Sequence, residues 1–434
     1  MKIFDRIALF LAIATFFAAS YFSINVYEGI PHIEDEITYV WQARLAAAGK
    51  IAIQSPICPE CFLEPFVIDL NGIRFGKYPP GWPAALSLGI RLGVRDYVNP
   101  FFSALYIWLA YLLIKKLFNP LTGLIATVLT VVSPFFLINS GTLLAHPWSL
   151  LLVVTFAHGW HDTLNQANPL PKWLTGATAA LSMGLLILTR PLTAVGICFP
   201  FFIHGIYMLI KGSAQQRWAV IGIGAAALLV GSLYFLWQYR VTGNPLTNPY
   251  TLYWPYDRVG FGPGIGLHPD GHQLKYALVN TRFSLQVGNY DLFGWTYFSW
   301  IFLPFGLIVL AKRPNAWPVA GVFFSLVLAY MLYWIGAWTF GPRYYYEGLI
   351  SLTMLSAAGI TWLAGIPRRV ESKFPRQRLR FVSTSFVLLT LLAGNLIFYL
   401  PQRTESMRGL YGIEGSQLLP FRSDTAQSLT PALV

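Results

Sequence analysis

Long apolar runs separated by short charged breaks dominate the chain. Each run approaches the roughly 20 residues that a helix needs to cross the hydrocarbon core of a bilayer. The pattern predicts about eleven membrane-spanning helices, at residues 7–26, 100–114, 121–138, 147–161, 174–188, 192–210, 218–237, 292–310, 317–335, 345–362 and 381–400. The predicted fold class is an all-α polytopic membrane protein with juxtamembrane helices and loops on its outer side.

Composition agrees with this class. Of the 434 residues, 55% are hydrophobic and 11% are charged, whereas a soluble domain carries roughly 25% charged residues. The first run is predicted to be a permanent anchor, because its apolar core is long and no small-residue cleavage pattern follows it.

The basic residues lie mostly in the breaks between runs. If the amino terminus is cytoplasmic, every short inner loop is basic, and the cations that point to this orientation are Lys2, Arg6, Lys115, Lys116, Lys172, Lys211, Arg217, Lys312, Arg313, Arg368, Arg369, Lys373, Arg376, Arg378 and Arg380. The positive-inside rule then fixes the orientation, with the amino terminus in the cytoplasm. The expected location is the plasma (inner) membrane, which the chain crosses several times, with the active site on the extracytoplasmic side. The net charge of +12 forms no basic domain, so nucleic-acid binding is excluded.

The long segments fall on the other, outer side. We expect one integral membrane domain over residues 1–400, with outer loops at 27–99 and 238–291, followed by a short extracytoplasmic tail at 401–434. Within the second loop, the Gly- and Pro-rich stretch 262–272 contains His268 and His272. Two histidines four residues apart suit a metal only on a helix. The Gly and Pro residues of this stretch disfavour a helix, so the stretch is predicted to be a mobile lid.

Three consecutive acids, Glu34-Asp35-Glu36, come directly after the first run. A short helix is predicted over residues 36–48, because apolar positions recur there at helical spacing. Asp35 then has two readings. It is the N-cap of that helix, or it is a carboxylate held near hydrocarbon to accept a proton from a hydroxyl nucleophile.

Three cations lie beside predicted membrane boundaries on the same outer side: Lys77 before a Pro-Pro turn, Arg190, and Arg343. Such side chains commonly extend to lipid phosphates. Their outer location disfavours that reading, since short outer loops are usually poor in positive charge. Fixed cations beside aromatic residues suit the phosphate of a lipid-linked anion, and the aromatic candidates are Tyr78, Trp82, Tyr344 and Tyr345.

His146 is predicted in an outer loop, either at a helix start or facing the same cavity. Cys58 and Cys61 lie close together on the outer side, where a disulfide and two free thiols are both open, and Cys198 lies within a span. A zinc site needs two more ligands at suitable spacing. The sequence therefore requires no cofactor, and a divalent metal has no support from it.

The outer motifs resemble those of the GT-C glycosyltransferases, in particular the protein O-mannosyltransferase-like (glycosyltransferase family 39) members and the aminoarabinose transferases. The matching residues, in order, are Asp35-Glu36-Ile37-Thr38-Tyr39, Ala43-Arg44, Gly49, Lys77, Pro79-Pro80 and Gly341-Pro342-Arg343-Tyr344. The resemblance extends over the membrane topology and is strongest in the first half of the chain.

The resemblance implies a glycosyltransferase that moves a sugar, with inversion, from a polyprenyl-phosphate donor to an extracytoplasmic glycan, lipid or protein. Asp35 would be the general base, and Glu36 would support the site. Lys77, Arg343, Tyr344 and Arg190 would hold the donor phosphate. His146, Tyr78 and Tyr345 would be candidate substrate contacts.

The chain also departs from these relatives. Several of them carry a second acidic residue near the position of His146, and some have a large outer domain that residues 401–434 are too short to form. A transporter or flippase of a lipid-linked substrate is the alternative function. Such a protein should carry ionisable groups near the bilayer midplane, whereas the prominent charges here lie at one face.

Overall fold

The computed structural model describes residues 2–165, 170–366 and 375–428. Its helices are α1 (Ile3–Tyr21), α2 (Glu34–Ala47), α3 (Gly81–Arg91), α4 (Val98–Leu117), α5 (Pro120–Val131), α6 (Pro134–Ser140), α7 (His146–Leu164), α8 (Lys172–Ile187), α9 (Pro191–Lys211), α10 (Ala214–Gly231), α11 (Leu233–Thr242), α12 (Pro249–Tyr253), α13 (Leu274–Asp291), α14 (Leu303–Leu310), α15 (Trp317–Tyr330), α16 (Leu349–Leu363), α17 (Pro375–Gly394), α18 (Leu400–Glu405) and α19 (Asp424–Ser428). The strands are β1 (Ile53–Gln54), β2 (Val67–Leu70) and β3 (Ile73–Gly76).

The described helices confirm a multi-pass membrane protein. Five helical stretches are long and apolar enough to cross a bilayer: Ile3–Val26, Arg95–Leu117, Pro191–Lys211, Ala214–Thr242 and Arg376–Arg422. Two bent helix pairs also pass when each is taken as one span, and two shorter apolar helices, Lys172–Ile187 and Pro314–Tyr330, accompany them. The all-α class is confirmed, and the count of about eleven spans stays a prediction.

Two of the predicted spans include a sharp bend in the described residues. The run 121–138 is divided into α5 and α6, which meet at 63°, because Pro134 cannot donate the backbone hydrogen bond that a continuous helix needs. The run 292–310 contains a 3₁₀ turn at Thr296–Phe298 and becomes α-helical only at Leu303, and α13 and the segment that carries α14 meet at 112°. Gly294, with φ of 66°, lies in the turn between them.

Ion pairs hold the helices together at the end of the bundle where α1 begins, which we call the inner face. Lys115 of α4 contacts Asp5 of α1 at 2.6 Å, and Lys116 contacts Asp162 of α7 at 2.7 Å. These pairs account for two of the cations that predicted the orientation. Three others of that set, Arg368, Arg369 and Lys373, lie outside the described residues.

The outer segment 27–99 contains α2, a small sheet and α3. The sheet has the order β1-β3-β2 with antiparallel pairing, and it is an addition to the all-α architecture that the sequence predicted. A disulfide joins Cys58 and Cys61 beside it. The open question about these two cysteines is thereby answered.

Strand β3 delivers the next residues to α2. A Cβ at Gly76 would lie 2.5 Å from the side chain of Gln42, so only glycine allows this approach. Gln42 donates from Nε2 to the carbonyl oxygen of Tyr78 at 2.8 Å. Lys77 and Tyr78 are thus held against the helix that carries Asp35.

The second outer segment, 238–291, is not the loop that the sequence predicted. It includes the end of α11, α12 and all of α13. The predicted lid contacts the end of α15, because the buried His272 forms a hydrogen bond through Nε2 with the carbonyl oxygen of Met331 at 3.0 Å. Gly262 and His272 form an antiparallel β-bridge that joins the two ends of the stretch. His268 stacks on Tyr276 with ring centroids 3.8 Å apart.

Candidate active site

Helix α2 begins earlier than the sequence predicted, and this decides one reading of Asp35. The N-cap position is Ile33, which is extended, and Asp35 lies inside the first turn. Glu36 instead links the first turn of α2 to the residues before the helix and to a distant loop: its Oε2 accepts from the backbone N–H of His32 at 2.8 Å and its Oε1 from that of Leu143 at 2.7 Å. The prediction that Asp35 is the N-cap is therefore wrong.

Glu36 is a fully enclosed carboxylate. Its side chain is buried between the start of α2 and the loop that follows α6. Burial raises its pKa, while the backbone hydrogen bonds from His32 and Leu143 oppose that change. Because each oxygen is used by a backbone donor, the contacts of Glu36 are those of a residue that positions Asp35.

The Asp35 carboxylate bridges two distant parts of the chain. Its Oδ1 accepts a hydrogen bond from the hydroxyl of Tyr78, and its Oδ2 accepts from Nη2 of Arg343 at 3.1 Å. The side chain is 26% exposed. Burial alone would raise its pKa, but the charge of Arg343, the Tyr78 hydroxyl and the charge of Lys77 hold it below the ordinary value. Asp35 is therefore ionised at neutral pH.

Two of the three guanidinium nitrogens of Arg343 have no hydrogen-bond partner among the described residues. A sharp turn at Gly341, whose φ is 76°, leads into the 3₁₀ helix Arg343–Gly348. A Cβ at this glycine would lie 2.6 Å from the ring of Phe135, which explains the residue type. Nε and Nη1 of Arg343 are buried and have no hydrogen-bond partner among the described residues. Buried donors of this kind call for an acceptor, and an anion beside Asp35 would supply one.

Lys77 is more deeply buried than a lysine that faces an open phosphate site. Its ammonium group is 3.7 Å from the ring centroid of Phe66 and 4.6 Å from that of Trp254, with three tyrosine rings slightly farther away. Asp257 Oδ2 lies 3.6 Å from Nζ, and the two side chains are only 4% and 1% exposed. Burial lowers the pKa of Lys77, and Asp257 and Asp35 oppose that effect. The role of Lys77 as a phosphate ligand stays a prediction.

Arg190 belongs to a second cluster, formed by α7, α9, α15 and the Arg343–Gly348 turn. Its Nη1 lies 2.6 Å from Oε1 of Glu347 and 2.6 Å from Nδ1 of His146, and its Nη2 donates to the hydroxyl of Tyr330 at 2.9 Å. The pairing with Glu347 compensates its charge. Less of that charge is available to a donor phosphate than the sequence suggested.

The tyrosines divide between two places. Tyr344 stacks on Tyr330 with ring centroids 4.7 Å apart, and the guanidinium groups of Arg190 and Arg343 each lie 6.0 Å from the Tyr344 ring. Tyr345 points elsewhere: it packs against Phe323 and lines a small enclosed space that Pro342 also lines. The structure therefore joins Tyr78 and Tyr344 to the site and leaves Tyr345 outside it.

Sequence analysis missed two acids of this region. Glu347 falls inside the predicted span 345–362, and an acid within an apolar span needs a partner, which is a readable signal. Asp257 carried no such signal, because it lies in a polar segment. Among the described residues, no group of three or more His, Cys, Asp or Glu side chains is arranged to hold a metal ion.

Solved structures of similar fold are membrane proteins. ArnT from Cupriavidus metallidurans, bound to undecaprenyl phosphate, matches with a TM-score of 0.57 at 12% identity over 93% of this chain and 74% of its own. The chain has the GT-C fold. The archaeal oligosaccharyltransferase AglB from Archaeoglobus fulgidus, in complex with an inhibitory peptide and a dolichol-phosphate, matches with a TM-score of 0.56 at 12% identity over 92% of this chain and 56% of its own.

The apo state of ArnT gives a TM-score of 0.56 with the same coverage. No family model and no curated protein matches the chain in sequence. At 12% identity the similarity to the solved GT-C structures lies in the fold, so the chemistry has to be argued from the side chains at the Asp35 site.

Proposed function

We propose that the protein is a glycosyltransferase that moves a sugar from a polyprenyl-phosphate donor to an extracytoplasmic acceptor. One observation carries the proposal. The ionised, partly exposed Asp35 carboxylate lies 3.1 Å from Arg343, and two further nitrogens of that guanidinium are buried without a protein partner. A base and an anion-binding group are thus adjacent, in a fold shared with a protein solved with undecaprenyl phosphate.

The reaction follows from these positions. The acceptor hydroxyl or amine attacks the anomeric carbon of the sugar, and its proton passes to Asp35 as the new bond forms. The bond between the anomeric carbon and the phosphate oxygen breaks, and the lipid phosphate departs with the electron pair. Arg343 stabilises the charge that grows on this phosphate. A single displacement of this kind inverts the configuration at the sugar carbon.

Asp35 can accept a proton although both of its oxygens already have partners. Each carboxylate oxygen carries two lone-pair positions, and the Tyr78 hydroxyl and the Arg343 guanidinium use one each. The same two donors orient the carboxylate. Glu36 holds the first turn of α2 in place through its hydrogen bonds with the backbone N–H groups of His32 and Leu143.

The experiment that tests the proposal replaces Asp35 by asparagine, which keeps the shape and removes the base. We expect Asp35→Asn to lose about 10² to 10⁴ in transfer rate and to retain donor binding, which shows that the variant is folded. The matched control is Glu34→Gln, because Glu34 is exposed in the same helical turn. Transfer would be measured with purified protein and the lipid donor identified by mass spectrometry of co-purified lipid.

The control and the variant give opposite outcomes if the proposal is right. Glu34→Gln should transfer sugar at the parent rate. An Asp35→Asn protein that transfers within a few-fold of the parent would remove Asp35 as the base. A protein that binds and translocates a lipid-linked substrate without any glycosyl transfer would be a transporter or flippase.

A further inference from the structure

A cavity of about 360 Å³ lies at the inner face, at the opposite end of the bundle from Asp35. It is lined by the inner ends of α4, α7 and α9 and by the starts of α10 and α15, and its walls include Leu113, Leu117 and Phe201, which are buried. The proposed glycosyl transfer has no use for this space.

A second compartment of about 200 Å³ adjoins the first and carries the positive charge. The two compartments share Leu117, His161 and Asn315 in their walls, so they lie side by side. Lys116, Lys312 and Arg313 also line the second compartment. We call the whole space the inner-face cavity.

The charge at its mouth is only partly compensated. Lys116 pairs with Asp162 at 2.7 Å and is 41% exposed. Lys312 and Arg313 are exposed in the turn between α14 and α15, and neither forms an ion pair with a carboxylate of the described residues. An exposed, positively charged mouth therefore adjoins a cavity whose walls combine buried apolar side chains with the polar side chains of His161, His204 and Gln216.

This arrangement matches an amphipathic anion. Lysine and arginine side chains donate charge-assisted hydrogen bonds to phosphate oxygens, and basic pockets between membrane helices on the cytoplasmic side bind anionic lipid headgroups. Orientation in the membrane requires only that the cations be present on this side. It does not require that two of them border a cavity with buried apolar walls.

We propose that the inner-face cavity binds the phosphate headgroup of an anionic phospholipid. The headgroup lies against Lys312 and Arg313, and the apolar part of the lipid lies along Leu113, Leu117 and Phe201. The ligand is drawn from the surrounding leaflet. The site is separate from the one proposed for the sugar donor and does not depend on that function.

The test measures retention of phosphatidylglycerol by the purified full-length protein, using native mass spectrometry, with phosphatidylcholine as the zwitterionic comparison. Each cation near an anionic lipid surface is worth about a 5-fold change in binding, so the Lys312→Gln/Arg313→Gln variant should lose about 25-fold. The matched control is Arg376→Gln/Arg378→Gln, which removes two exposed cations from α17, outside the cavity walls. It should change retention by less than about 2-fold.

A third variant separates the cavity from its charge. Asn315 is exposed and lines both compartments, so Asn315→Trp should block the junction and reduce retention with every cation still in place. Equal losses in the two charge variants, full retention in Asn315→Trp, or equal binding of phosphatidylcholine would each overturn the proposal. Displacement of the lipid by millimolar inorganic phosphate would overturn it in favour of a site for a free anion.

Discussion

The buried pair of Lys77 and Asp257 allows the structural and functional roles of the lysine to be measured separately. At 3.6 Å between Nζ and Oδ2, Coulomb's law with an effective dielectric constant of ~20 gives an attraction of about 4 to 5 kcal/mol. Removing one partner of a buried pair typically costs about 3 to 5 kcal/mol, because the other charge is left uncompensated. Replacing both partners by neutral residues avoids that cost.

Lys77→Met should therefore destabilise the protein strongly, since it leaves the Asp257 carboxylate with only the Tyr333 and Trp334 donors at 2.7 and 3.1 Å. Asp257→Asn should cost less. The ring faces of Phe66 and Trp254 still face the ammonium group, and cation–π contacts contribute about 2 kcal/mol each when desolvated. The double variant Lys77→Met/Asp257→Asn should regain most of the free energy of unfolding that Lys77→Met loses. The coupling energy between the two positions should be about 3 to 5 kcal/mol.

Activity should not follow stability in this series if Lys77 contacts the donor phosphate. A hydrogen bond to a charged group is worth about 1.5 to 3 kcal/mol, so the stable double variant should bind the lipid donor about 10- to 150-fold more weakly than the parent. Asp257→Asn alone should bind it at least as well, because the carboxylate no longer competes for the ammonium group.

Thermal unfolding in detergent and donor titration would be carried out on the same four preparations. A double variant that is as stable as the parent and binds donor normally would show that Lys77 is purely structural. A coupling energy below about 0.5 kcal/mol, comparable to that of an exposed ion pair, would refute the reasoning about the buried pair itself.

Three further results are expected. Tyr78→Phe removes a hydrogen-bond donor that lowers the pKa of Asp35. The fall of the transfer rate at acid pH, which should lie below pH of about 3.9 in the parent, should therefore move to higher pH. A fall at unchanged pH would assign it to another group. Glu36→Gln should lose about 1 to 3 kcal/mol of unfolding free energy, because one of its two backbone N–H partners loses its acceptor, and unchanged thermal stability would contradict this. In intact cells, cysteine at Asp270 should react with a membrane-impermeant thiol reagent and cysteine at Lys312 should not, since we place the Asp35 site outside; reversed labelling would invert the proposed orientation.

Local pattern was enough for the class of fold, an all-α membrane protein. It failed where one residue changes the direction of the chain. The run 121–138 stays apolar through Pro134, so an average over hydrophobicity does not register the 63° bend. The start of α2 was placed two residues late, and the N-cap position is Ile33 rather than Asp35.

The site residues were predicted by type and by side of the membrane, and their pairing was beyond the sequence. The Asp35 and Arg343 contact spans 308 residues, and nothing in local spacing selects this arginine over Arg190. Only the packed structure reveals that Arg190 is already paired with Glu347 and that Lys77 is enclosed by aromatic rings. Partner choice depends on tertiary packing, which periodicity does not encode.

The separation of 308 residues between Asp35 and Arg343 also has a consequence during synthesis. At ~5 to 20 residues per second, the ribosome adds Arg343 roughly 15 to 60 s after Asp35, so the nascent chain holds the carboxylate for that interval without this counter-charge. Tyr78 follows only 43 residues after Asp35, and the contact of Gln42 with its carbonyl oxygen fixes it early. Synthesis therefore supplies the Tyr78 partner of Asp35 before the Arg343 partner, and the site of the proposed reaction is complete only after Arg343 has been added.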